Sequence, residues 1–68
     1  MSKENIRRGL VKFIKSTKLS DQEFSDKIGV SRATVWRWKN DTLPGIDTLV
    51  MIANKFSVSL DSVVGRRP

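Results

Sequence analysis

A chain of 68 residues makes one domain, and at that size only roughly 60% of the surface exposed by the unfolded chain is buried, so local helical packing is the expected route to stability. The absence of cysteine excludes a disulfide framework and a thiolate metal site, and the absence of histidine removes the usual metal ligand and general base; neither an enzyme nor a cofactor is expected. Thirteen Lys and Arg against seven Asp and Glu leave a net charge of +6. No apolar stretch approaches the roughly 20 residues of a membrane span, and the N-terminus lacks the apolar core of a signal peptide, so a cytoplasmic location is predicted.

Helix one is predicted from about Lys3 to Thr17, with Ile6, Leu10 and Phe13 as an apolar stripe and Arg8, Lys12 and Lys15 on the opposite side. Gly9 should weaken it modestly. Residues 1 to 20 carry Lys3, Arg7, Arg8, Lys12, Lys15 and Lys18 against Glu4, and residues 31 to 40 carry Arg32, Arg37 and Lys39 with no acid. Positive charge is thus concentrated on helices one and three, which either faces a polyanion or is simply a solvated surface.

Ser20-Asp21-Gln22-Glu23 has the S-x-x-E form of a capping box, so a second helix should start at Asp21 and run to Ile28. Gly29 falls where that helix must end in a left-handed residue, and Ser31 can cap the next one. Phe24 and Ile28 lie one turn apart on the second helix and Val35 and Trp38 three apart on the third, so the two pairs can meet across the bend, with Ser25 small enough for close approach. On the third helix, rotation by about 100° per residue puts Arg32, Ala33, Trp36 and Arg37 on the outer side and Thr34 at the boundary.

Asn40 to Gly45 is rich in turn formers. Ile46, Leu49, Ile52, Ala53 and Phe56 mark a fourth helix that ends near Lys55 and turns this stripe to the core. Ser59 should cap a short fifth helix through Leu60, Val63 and Val64. Residues 1–65 form the predicted domain and 66–68 a tail.

The run Leu19, Ser20, Asp21, Gln22, Glu23, Phe24, Ser25, then Gly29, Val30, Ser31, then Thr34, Val35, Trp38 and Asn40 resembles the Cro and phage-repressor family of helix-turn-helix proteins. Downstream, Pro44, Leu49, Ala53, Val58, Ser59, Leu60 and Asp61 resemble the family's fourth and fifth helices, so the likeness covers nearly the whole chain. It implies an all-α, compact five-helix, lambda repressor-like DNA-binding domain in which helices two and three are the helix-turn-helix and helix three enters the major groove.

By that resemblance the base-reading positions fall on Arg32, Ala33 and Arg37, with Trp36 beside them. Arginine suits guanine because its planar fork donates to O6 and N7 together, so at least one G·C pair per half-site is expected. Ala33 offers only a methyl for thymine. Trp36 should lie on the sugar-phosphate backbone, touch a base methyl or fill a partner's surface, whereas Trp38 takes the family's large apolar core position. The backbone contacts implied are Ser20, Gln22, Ser31, Thr34, Lys39 and Asn40; Asn40 also reads as a helix C-cap.

Two departures stand out. Where the family usually has a glutamine that contacts DNA, this chain has Asp21, which is expected to orient Arg32 or to accept from a cytosine amino group. Ile14 and Lys39 occupy positions that in some relatives hold a paired basic residue and glutamate; Ile14 should widen the apolar stripe and Lys39 turn to the DNA backbone.

The resemblance points to a repressor on a near-palindromic operator, with Val50, Met51 and Val64 as candidate surface for a weak homodimer. No small-molecule ligand is expected in so small a core. An alternative is a protein-interaction module of the same fold, an antitoxin or antirepressor that turns Trp36 and nearby apolar residues on a protein.

Overall fold

In the computed structural model, which describes residues 3–65, five helices follow one another through short loops: α1 (Lys3–Ser16), α2 (Asp21–Ile28), α3 (Arg32–Asn40), α4 (Ile46–Phe56) and α5 (Leu60–Val63). No strand occurs among the described residues. The tail expected at 66–68 lies outside them.

The helix ends are written in local chemistry. At the start of α2, the Ser20 hydroxyl accepts from the Glu23 N–H at 3.1 Å while the Glu23 carboxylate accepts from the Ser20 N–H at 2.9 Å, a complete capping box. The exposed Glu23 carboxyl is held below the usual carboxylate range, first by that backbone N–H and then by the Ser20 side chain. At the other end Gly29 has φ 79°, a left-handed conformation that costs glycine nothing, and the N–H groups of Gly29 and Val30 both bond the Ser25 carbonyl. Ser31 and Ser59 cap α3 and α5 in the same way, with hydroxyls accepting from the Thr34 and Ser62 N–H groups.

The core is a single cluster to which every helix contributes: Leu10 and Ile14 from α1, Phe24 and Ile28 from α2, Val35 and Trp38 from α3, Leu49, Ile52 and Ala53 from α4, and Val63 from α5. Ile14 is 1% exposed, so it does widen the α1 stripe, at the expense of Phe13 and Ile6, which are only half-buried. Phe56 joins three elements. Its ring stacks on Phe24 at 5.3 Å and meets Phe13 edge-on at 5.4 Å, with the Lys27 ammonium over it at 5.2 Å.

Two expectations need correction. Ile46 does not join the α4 core stripe: it is 62% exposed, because it is the first residue of the helix, just past the exposed loop, and lies on the edge of the arc through Leu49, Ile52 and Ala53. Nor is Gly9 merely a weak point of α1. It is buried where α1 crosses the end of α5, and a Cβ there would stand 1.8 Å from the Val64 carbonyl oxygen. Glycine at this position is what permits the two backbones to touch.

Candidate nucleic-acid interface

The bend between α2 and α3 is locked from inside. Phe24, Ser25, Ile28, Val35 and Trp38 are all buried, the first four at 4% exposure or less, so the apolar pairs do meet across the Gly29 turn. Ser25 reaches 0% exposure by returning its hydroxyl to the Gln22 carbonyl at 2.8 Å, which satisfies a polar group in a tight place.

With Val35 and Trp38 committed inward, the 100° rotation per residue turns Arg32, Ala33, Trp36 and Arg37 to solvent, at i, i+1, i+4 and i+5 of one face. Trp36 is 58% exposed. Neither arginine has an intramolecular hydrogen bond or ion pair among the described residues, so both guanidinium forks are free to donate.

The polar residues around this face are, by contrast, engaged. The Ser31 and Thr34 hydroxyls share a hydrogen bond of 2.9 Å. Gln22 donates to Asp26 one turn on at 2.9 Å, and Asn40 donates to the Trp36 carbonyl at 2.9 Å from the last residue of α3, the C-cap itself being Asp41 and not Asn40 as expected. Gln22 and Asn40 each keep one further amide N–H and the Ser31–Thr34 pair keeps one hydroxyl O–H, so these bonds orient the groups without exhausting them. Ser20, Gln22, Ser31 and Asn40 are exposed and Thr34 is half-buried.

Asp21 does something the sequence did not indicate. Its carboxylate pairs with Lys39 at 2.5 Å, not with Arg32, so the first residue of α2 is bound to the last turn of α3. Lys39 is accordingly drawn sideways along the protein surface and is half-buried. Arg7, counted above among the basic residues of 1 to 20, donates to Glu4 at 2.9 Å and to the carbonyl of Asp41, the C-cap of α3, at 2.5 Å. The Glu4 partner is visible as an i, i+3 spacing, whereas the carbonyl contact spans 34 residues and leaves no local signal. Arg8, Lys12 and Lys15 remain exposed on α1.

Among the described residues no group of His, Cys, Asp or Glu could hold a metal ion, and no helix is long and apolar enough to cross a membrane. The α2–α3 unit thus presents, on the outer face of its second helix, two arginines without a partner among the described residues. A helix-turn-helix family model, HTH_3, of the Cro/C1 type, matches residues 12–63, and the chain belongs to this family of DNA-binding regulators. No curated protein and no solved structure matches it significantly.

Proposed function

We propose that this protein is a Cro-like repressor of phage or bacterial type, which binds a near-palindromic operator in double-stranded DNA with α3 in the major groove. The observation that carries this reading is the pair of unpartnered guanidinium groups, Arg32 and Arg37, on the exposed face of α3. Arg32, Ala33, Arg37 and Trp36 read base edges, each arginine suited to a guanine. Ser20, Gln22, Ser31, Thr34, Lys39 and Asn40 line the phosphate tracks on either side, and the exposed Arg8, Lys12 and Lys15 add longer-range attraction. The proposed site of action is the cytoplasm.

Twofold pairing on DNA fits the dimensions. The body measures 29 × 26 × 22 Å, small enough for two copies to sit side by side over successive major grooves roughly 34 Å apart. Of the apolar residues first considered for such a contact, Met51 and Val64 pack half-buried against the core, and Val50 is left exposed with Ile46 one turn before it. Two side chains offer only a small surface, so the dimer of this proposal is weak and forms on the operator.

Selection of binding sites from a random duplex pool at two salt concentrations tests the reading. A palindromic motif containing G·C pairs, with affinity that falls steeply with salt, is the expected result. Absence of any enriched motif would overturn it and favour a protein partner docking on Trp36.

A further inference from the structure

The last turn of α3 is held from two sides, and only one of the two holds lies within the helix-turn-helix. From α1, Arg7 donates to the carbonyl of Asp41; from α2, Asp21 accepts from the Lys39 ammonium. The second is the more telling, because it joins the residue that opens α2 to the penultimate residue of α3, two positions beyond Arg37. The core, through the buried Val35 and Trp38, fixes which face of α3 turns outward, and the pair with Asp21 adds a polar tie from α2 at the last turn that can trim its roll.

We infer that Asp21 is a positioning residue for DNA recognition: by holding Lys39 it sets the roll of α3, and so the direction in which Arg32 and Arg37 leave the surface. This rests on the operator-binding reading above. A carboxylate at this place would otherwise work against binding, since it stands at the start of α2 beside the proposed phosphate track. Its pairing with Lys39 answers that difficulty. The ion pair neutralises the charge locally, at side-chain exposures of 33% for Asp21 and 24% for Lys39, and the ammonium keeps two donors for a phosphate.

A repulsive charge and a positioning residue leave different signatures, because phosphate attraction carries no sequence information whereas the roll of α3 does. The measurement is the ratio of affinities for two probes: the best duplex recovered by selection with the wild-type protein, and a scrambled duplex of equal length and composition. D21N raises the charge by one, so binding to the scrambled probe strengthens. If Asp21 positions α3, binding to the selected probe weakens at the same time, and the ratio falls at least about fivefold, the effect of a single mismatched base pair. K39M lowers the ratio similarly, and the exchange D21K/K39D, which restores an oppositely charged pair at unchanged net charge, recovers most of it. Circular dichroism and thermal melting establish that each variant is folded at the assay temperature.

An unchanged ratio in D21N, with both affinities rising together, would show Asp21 to be only a repulsive charge and would overturn the inference. A lowered ratio that the exchange fails to restore would mean that Asp21 touches DNA itself, which overturns it also. If the wild-type protein enriches no sequence, the operator reading falls and the inference with it, an outcome distinct from the other two.

Discussion

The two helices of the bend differ in how their polar side chains are used. On α2, Asp21 binds Lys39, Gln22 binds Asp26 and Glu23 closes the capping box with Ser20, so each side chain of its first turn has a partner within the molecule. On α3, Arg32 and Arg37 have no partner among the described residues and Trp36 lies in solvent at 58% exposure. A side chain with a partner holds a helix in place, and one without keeps its hydrogen-bonding capacity for a ligand. On the function proposed above α2 is chiefly the support and α3 the reader, and substitutions separate the two tasks by whether their loss is felt in stability or in DNA binding.

The largest effect should come from the element the two helices share. Phe24→Ala removes a ring that is 0% exposed and stacked on Phe56, and is expected to cost about 3–5 kcal/mol of stability, measurable by chemical denaturation. DNA binding would be lost only as the folded population is lost.

On the reader, Arg32→Ala and Arg37→Ala should each weaken binding to the selected duplex by about 1–3 kcal/mol in titrations, while the melting transition changes by no more than about 0.5 kcal/mol. A comparable loss of stability would collapse the distinction between the helices. The preference at one base position should relax in each variant, and a repeat of the site selection shows which.

On the support the expectation reverses. Ser20→Ala removes the acceptor for the Glu23 N–H and should cost about 1 kcal/mol of stability, with a much smaller change in sequence preference.

The smallest effect is the pH dependence of the same cap. The Glu23 carboxyl titrates below its ordinary value in the folded protein because its ionised form accepts from the Ser20 N–H. A lowered folded pKa means that the contribution is fully present above the ordinary carboxylate range and is lost as pH falls through the lowered value. Melting temperature followed from neutral to acid pH should fall less steeply in Glu23→Gln than in the wild type.

Most of the support was legible in the sequence, because helix ends are local. S-x-x-E at Ser20, a glycine at Gly29 and Ser31 before the next helix lie within a few residues of what they satisfy, and the bounds Asp21–Ile28 and the start of α3 after Ser31 followed from them, whereas α3 runs on through Asn40. The outward face of α3 was legible for the same reason, since Val35 and Trp38 fix the rotation of the residues between and around them. The exposure of Ile46 was not, because periodicity names a face but not where along it the neighbouring helices stop covering.

What the sequence determined by itself is thus the number of helices, their caps and the side of α3 that carries Arg32 and Arg37, all of which depend on spacing along the chain. Only the tertiary structure decided the rest. Gly9 against Val64, Arg7 on the Asp41 carbonyl and Asp21 on Lys39 join residues 55, 34 and 18 positions apart. Contacts of that separation depend on how whole helices cross, and a crossing is set by the packing of the entire core, not by the residues that happen to meet at its edge.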